Sequence, residues 1–279
     1  MGIGNYFKRA VKYILKEHKI SVVKPEIVQK TPTEMFSNKN ILITGGGSGL
    51  GYYIAQKLSN EGAKVIITGR KEEKLKKAVN EIRNNVEYMV YDVRKCDSDF
   101  MKTIYNKFGK IDCLINNAGI SLHEGNMLNV TMEGFENQFD TNLKGAYFLA
   151  QEYVKIIKEN NQKEGNIIFI SSERGKQCDD IPYGLTKVAI NSLVEGMSRR
   201  FYKDGIRINA VAPGITASDM TNIKRDGDLY CNYNASERYF MPEEVAEVVA
   251  FLVSEYSKCI SGEIIHCDAG NHLNPWFNK

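Results

Sequence analysis

The sequence predicts an α/β fold in which a doubly wound, seven-stranded parallel sheet is flanked by helices. Three observations predict it. Seven short β-branched runs recur along the chain, each leading into a turn and then a longer amphipathic or loop segment. These runs are almost continuously apolar, as strands covered on both faces must be. The first of them runs straight into a cluster of glycines and then a helix, the arrangement that places a ligand beyond the carboxyl ends of parallel strands.

The strands are read in order as "NILIT" (40–44), "KVIIT" (64–68), "VEYMVYDV" (86–93), "IDCLINN" (111–117), "GNIIFISS" (165–172), "IRINAVAP" (206–213) and "GEIIHCD" (262–268). Between them, "GYYIAQKLSNEG" and "VAINSLVEGMSRRFYKDG" have helical periodicity, and the second ends in Gly205, which suits a helix C-cap. Residues 1–37 fall outside the alternation. There "NYFKRAVKYILKEHK" puts Phe7, Val11, Ile14 and Leu15 on one face, with Lys8, Arg9, Lys12, Lys16 and Lys19 around them. Such a basic amphipathic helix packs on the domain or a partner subunit, or rests on an anionic membrane as a peripheral contact. The organisation expected is therefore an N-terminal basic extension, 1–37, followed by one domain, 38–279, with a substrate lid at about 215–240.

Bulk properties narrow the function. A chain of 279 residues, 43% hydrophobic and 25% charged, is long enough for a large buried core. The formal net charge of +3 and the lack of a basic run interleaved with aromatics argue against a nucleic-acid partner. The six cysteines form no C-x-x-C pair and have no histidine at zinc-finger spacing, so they are read as reduced, cytoplasmic and structural, with no metal.

In "TGGGSGLGYYIAQKL", Gly45, Gly49 and Gly51 form G-x-x-x-G-x-G between strand and helix. Glycines there permit a tight turn and let backbone N–H groups approach a pyrophosphate at the positive end of the helix. It is not a P-loop, because Tyr52 stands where the phosphate-binding lysine would be. The end of the second strand discriminates between dinucleotides. A carboxylate there would bond the ribose 2′-hydroxyl of NAD, but Gly69 occupies the position and Arg70 follows. Arg70 can pair with a 2′-phosphate, which favours NADP(H), with NAD(H) the alternative.

Further segments fall in a fixed order: "YDV" after the third strand, "NNAG" (116–119) at the fourth, "DTNLKGAYF" with Asn142 in a helix, "IFISSERG" at the fifth, "YGLTK" with Tyr183 and Lys187, and "APG" (212–214) after the sixth. Together with the glycine loop, this set resembles the short-chain dehydrogenase/reductase family in its compact form, over about residues 38 to 270. The resemblance implies a Rossmann-type fold and a tetrad of Asn142, Ser172, Tyr183 and Lys187, with Ser171 the alternative serine. It implies cofactor contacts from Gly45, Ser48, Gly49, Leu50, Gly51, Arg70, Asp92, Val93, Asn117, Ala118, Gly119, Pro213, Gly214 and Thr216, together with Tyr183 and Lys187. Asp92 would meet the adenine, Lys187 the nicotinamide ribose, and Asn142 a water relaying protons to Lys187.

The chemistry accounts for the residue types. Reducing a carbonyl needs a hydride on carbon and a proton on oxygen, and an unperturbed tyrosine, with a pKa of about 10, exchanges protons poorly at neutral pH. A lysine one helical turn away would favour the phenolate, and Ser172 would stabilise charge on the substrate oxygen. The stretch 215–240 is rich in charge and tyrosine, and "ERGKQCDD" before Tyr183 is polar too. A small polar carbonyl or alcohol is therefore expected, sugar-like or anionic, with Arg174, Arg225 or Arg238 attracting an anion. A 3-oxoacyl-thioester reductase is the enzymatic alternative, and a non-catalytic NADP(H) sensor or scaffold the alternative of another class. By resemblance the protein is a homodimer or homotetramer, paired through helices around 131–160 and 183–203.

Overall fold

The computed structural model describes residues 35–273 except 178 and 233–235, so the N-terminal basic helix and Cys178 lie outside the described residues. All seven strands are parallel, in the order β3-β2-β1-β4-β5-β6-β7. They are β1 (Asn40–Thr44), β2 (Lys64–Gly69), β3 (Val86–Val90), β4 (Cys113–Asn116), β5 (Gly165–Ile170), β6 (Ile206–Pro213) and β7 (Ile264–Cys267). The helices are α1 (Gly49–Asn60), α2 (Glu72–Ile82), α3 (Phe100–Phe108), α4 (Met132–Phe139), α5 (Gly145–Glu159), α6 (Pro182–Phe201) and α7 (Pro242–Val253). Chain direction across the sheet reverses between β1 and β4, and a crevice opens above that switch point.

The apolar strands are explained by two separate cores. In β1, Ile41 and Ile43 pack with Ile54, Leu58, Val245 and Val249 on the α1/α7 face. Leu42 between them points the other way, toward Leu114, Tyr153, Ile167 and Val194 on the α5/α6 face. Each side chain of this size contributes about 1.5–3 kcal/mol on full burial. Tyr153 is buried because its hydroxyl donates to the Ile111 carbonyl at 3.1 Å.

The reading of burial on both faces fails at the sheet edges. β3 carries exposed Glu87 and Val90, and every residue of β7 is half-buried, because an edge strand has a neighbour on one side only. Four strands are shorter than the runs that predicted them, β5 among them, which ends at Ile170 before Ser171 and Ser172. β3 stops at Val90, where Asp92 accepts from the Arg94 N–H and the chain turns through a 3-10 segment, Val93–Lys95. β4 and β7 lose the flanking residues of "IDCLINN" and "GEIIHCD" to turns.

α6 begins with Pro182 in its first turn and runs on through a 3-10 turn, Tyr202–Asp204, to Gly205. Gly205 has φ +78°, and a Cβ there would lie 2.0 Å from the Lys163 carbonyl oxygen. Gly205→Ala is expected to cost well over ~1 kcal/mol, since both the left-handed backbone and the contact oppose a side chain. A fall in the urea midpoint with an unchanged slope checks it. Among the described residues no helix is long and apolar enough to cross a membrane.

Candidate active site

A cavity of about 1030 Å³ lies beyond the carboxyl ends of β1, β2, β4, β5 and β6. At its floor is the glycine loop. Gly45 and Gly49 take φ +68° and +56°, conformations that a side chain would strain. The loop is pinned from β4: Asn117 Nδ2 donates to the carbonyls of Thr44 and Gly45 at 2.9 and 3.1 Å, and Thr44 Oγ1 accepts from the Asn117 and Ala118 N–H groups. Gly51 does not line the cavity, a correction to its expected cofactor contact. A Cβ there would meet Asn117 Nδ2 at 2.4 Å and the Gly45 oxygen at 2.5 Å, so this glycine seats the helix against the loop.

Ser48 and Leu50 line the cavity, and the N-terminus of α1 has no side-chain cap and no acidic residue in its first turn. Its positive end is thus free for an anion. Farther along, Arg70 and Lys71 are exposed on the cavity wall and make no ion pair among the described residues, while Lys74 pairs with Asp219 at 3.5 Å. Asp92 and Val93 border the same end. The Asp92 carboxylate is already engaged by Arg94 Nε and Nη2, at 3.1 and 2.7 Å, which holds its pKa below the usual carboxylate value. Any adenine contact it makes is shared with that arginine.

At the other end Ser172, Tyr183 and Lys187 converge. Ser171 is distinguished from Ser172 by its partner: its hydroxyl donates to Asn191 Oδ1 at 2.6 Å. Ser172 instead accepts from the Arg174 N–H at 3.2 Å, and its side chain is near enough to the Tyr183 phenol to favour the phenolate. Burial raises the Tyr183 pKa, and Ser172 and the Arg174 charge only partly offset it. The expected lowering by Lys187 is absent. Its Nζ lies 5.5 Å from the phenol ring centroid and donates to the Ile170 carbonyl at 2.8 Å, and burial pushes its own pKa down to about 8. Desolvation governs both groups.

Asn142 lies in a π-helical turn, Asp140–Lys144, and is buried behind Gly119, where a Cβ would meet its Oδ1 at 3.4 Å and Lys187 Nζ at 3.7 Å. Its amide exchanges two bonds with the Ile120 backbone, at 2.8 and 2.9 Å, and reaches Thr186 Oγ1 at 3.2 Å. It therefore clamps the turn after β4 to α6, one turn of helix below Tyr183.

Asn117, Ala118, Gly119, Pro213, Gly214 and Thr216 all line the cavity. So do the lid residues Ile215, Met220, Ile223 and Tyr239, and the lid has a small core of its own in Ala217, Leu229 and Met241. His123 borders the cleft with Nε2 2.8 Å from the Met220 carbonyl. The three arginines expected to attract an anion are all paired: Arg174 with Asp179, Arg225 with Glu243, Arg238 with Glu244. Only Arg174 faces the cavity.

Glu173 and Asn271 are among the wall residues that sequence reasoning did not single out. Asn271 Nδ2 donates to Glu173 Oε2 at 3.0 Å across 98 residues of sequence, and no local pattern signals such a pair.

These residues fit a dinucleotide: an uncapped helix N-terminus behind a glycine cradle, cations at one end, and a tyrosine, serine and buried lysine at the other. The comparisons agree. A family model described as enoyl-(acyl carrier protein) reductase matches residues 45–272. The chain is 34% identical over 241 residues to the 3-oxoacyl-(acyl-carrier-protein) reductase of Aquifex aeolicus, covering 82% of this chain and 95% of that one. It is 32% identical over 249 residues to a tropinone reductase homolog of Arabidopsis thaliana, covering 85% and 92%. Among solved structures, a 3-ketoacyl-(acyl-carrier-protein) reductase from Brucella melitensis complexed with NADH superposes with TM-score 0.78 at 27% identity, over 85% of this chain and 99% of that one. Levodione reductase does so with TM-score 0.77 at 29% identity, over 86% and 99%. Fold and site define a nicotinamide-dependent oxidoreductase. The chain belongs to the short-chain dehydrogenase/reductase family.

Proposed function

We propose that the protein is an NADP(H)-dependent enzyme interconverting a carbonyl and a secondary alcohol on a small polar substrate. The observation that carries the reading is the cavity's polarity at both ends. Arg70 and Lys71 stand unpaired among the described residues where a 2′-phosphate would lie, with Gly69 in place of a repelling carboxylate. Ser172, Tyr183 and Glu173 meet at the other end, under a lid whose wall residues are both polar, Ser218, Asp219 and Thr221, and apolar, Ile215, Met220 and Ile223.

The bound nicotinamide would supply or accept the hydride. The glycine loop and the α1 N-terminus would hold its pyrophosphate, Arg70 and Lys71 its 2′-phosphate, and Lys187 its ribose. In reduction, Tyr183 donates the phenolic proton to the substrate oxygen while Ser172 donates a hydrogen bond to that oxygen. The raised pKa of Tyr183 keeps the proton in place at neutral pH, which suits an acid. Asn142 acts as a positioning residue, fixing the start of α6 through Thr186. Residues 38–279 form the catalytic domain in this reading, with 215–240 as its lid. Half-exposed Tyr147, Phe148, Leu185 and Val188 on α5 and α6 support homo-oligomer formation through these helices.

Titration with NADPH and with NADH, followed by nicotinamide fluorescence, tests the cofactor assignment. NADPH is expected to bind about ten-fold tighter or better, and Arg70→Ala to erase most of that margin, because a charge-assisted pair of this kind is worth about 1.5–3 kcal/mol. A preference for NADH overturns it. A second reading, reduction of a 3-oxoacyl thioester, is favoured by the names of relatives such as the Aquifex aeolicus enzyme. Turnover of acetoacetyl thioester well above that of small polar ketones would select it.

A further inference from the structure

The substrate end of the cavity carries one carboxyl that the reaction does not use. Glu173 follows Ser172 directly and is only 7% exposed, yet it lines the cavity. Oε2 accepts from Asn271 Nδ2 at 3.0 Å, and Oε1 accepts no hydrogen bond from the described residues. Oε1 is not sealed in the protein either: it keeps some accessible surface, in a residue that lines the cavity. The charges around it are spoken for. Arg174 pairs with Asp179, which is almost wholly buried, and His272 Nδ1 pairs with Asp268 at 2.8 Å. Asp268 adds its own negative charge, and desolvation by burial is the main cause of a raised Glu173 pKa.

A carboxyl oxygen so placed lacks a protein donor, and a ligand that displaces water from it must supply a donor or leave a costly unmet acceptor. Asn271 fixes the side chain from the segment after β7, so the acceptor is aimed before substrate arrives.

We propose that Glu173, held by Asn271, is a specificity-determining residue that selects carbonyl substrates bearing a hydrogen-bond donor, a hydroxyl or an ammonium, near the reacting carbon, and rejects those bearing a carboxylate there. This rests on the reductase reading above and replaces the sugar-like or anionic choice with the first of its two members. A ligand hydroxyl meets Oε1 with a charge-assisted bond. A ligand carboxylate meets a like charge at Glu173, while Arg174 is taken up by Asp179 and the Lys187 ammonium, held on the Ile170 carbonyl, is the ribose anchor of the proposed reading.

Four methyl ketones of nearly equal size, assayed with NADPH, separate the possibilities: hydroxyacetone, aminoacetone, butanone and pyruvate. For the wild type, kcat/KM for hydroxyacetone or aminoacetone is expected to exceed that for butanone by about ten-fold, with pyruvate lower than butanone by a similar factor. Which of the first two is faster tells hydroxyl from ammonium. Glu173→Gln should bring hydroxyacetone and butanone to within about three-fold and lift pyruvate, and Asn271→Ala should do so in part. Ratios taken on one preparation cancel any loss of folded protein. A second readout follows from charge: the carboxylate raises the Tyr183 pKa, so Glu173→Gln should move the basic limb of the reduction profile to lower pH. Equal rates with hydroxyacetone and butanone, or an unchanged ranking in Glu173→Gln, overturn the inference alone. Binding of NADPH with no turnover of any of the four overturns the reductase reading, and the inference with it.

Discussion

Tyr183→Phe is expected to lower kcat/KM for carbonyl reduction by about 10²–10⁴-fold, the usual loss when a positioned proton donor is removed. The ring stays, so packing at the start of α6 is preserved, and NADPH affinity should hold. What disappears is the phenolic proton and the influence of Ser172 on it. The pH dependence of the wild type carries the same assignment. Burial raises the Tyr183 pKa, so the phenol remains protonated through neutral pH and beyond. Reduction, which needs the acid form, should therefore be flat across neutral pH and decline only as pH passes the raised pKa. Alcohol oxidation needs the phenolate and should climb over that same range. Steady-state kinetics of both directions across pH, with the Phe variant beside the wild type, check the prediction. A Phe variant that matched the wild type in function, with turnover detected in neither, would return the protein to the sensor or scaffold reading.

The sequence disclosed the sheet more fully than the site. β1, β2 and β6 were legible because each is a short run of Val and Ile that must serve two cores at once, as the opposed faces of Ile41 and Leu42 show. Boundaries were less legible where a side chain, rather than hydrophobicity, ends the strand. Asp92 captures the Arg94 N–H and turns the chain after β3, though Tyr91 and Val93 beside it are apolar and buried. The glycine loop, Ser172, Tyr183 and Lys187 could be found because their spacing is local to one turn or helix. Glu173 and Asn271 could not, since their contact joins the ends of β5 and β7 and depends on strand order, not on sequence distance. The anion expectation failed for a different reason: Arg174 and Arg238 are neutralised by Asp179 and Glu244, 5 and 6 residues away, and Arg225 by Glu243, 18 residues on, and spacing alone does not say which neighbouring charges pair.

Lys187 exposes a conflict between stability and function that the fold has resolved in favour of function. Its ammonium is almost wholly buried, with the Ile170 carbonyl as its hydrogen-bond acceptor, and its pKa falls from 10.5 to about 8. The unfolded chain keeps this proton up to its ordinary pKa, so below about pH 8 folding carries the full penalty of burying the charge. The penalty is roughly 3 kcal/mol, since every tenfold change in a protonation equilibrium corresponds to about 1.4 kcal/mol. It shrinks as pH rises from the folded pKa toward the unfolded one and vanishes above both. Lys187→Met keeps the length of the side chain and removes the charge. At pH 7 the variant should be more stable than the wild type by about 1–3 kcal/mol, the lower figure allowing for the unpaired Ile170 carbonyl. Near pH 10 the margin should fall to nothing or reverse. Urea denaturation without cofactor at the two pH values measures this directly, and equal margins at both would sink the account of Lys187 as a desolvated cation. Activity should move the opposite way, with carbonyl reduction down by about 10²-fold or more, because the proposed ribose anchor that sets the cofactor against the substrate is lost. A residue that weakens the empty protein yet is required for turnover is retained for what it does to a ligand. That makes the variant's gain in stability as informative about the site as its loss of activity.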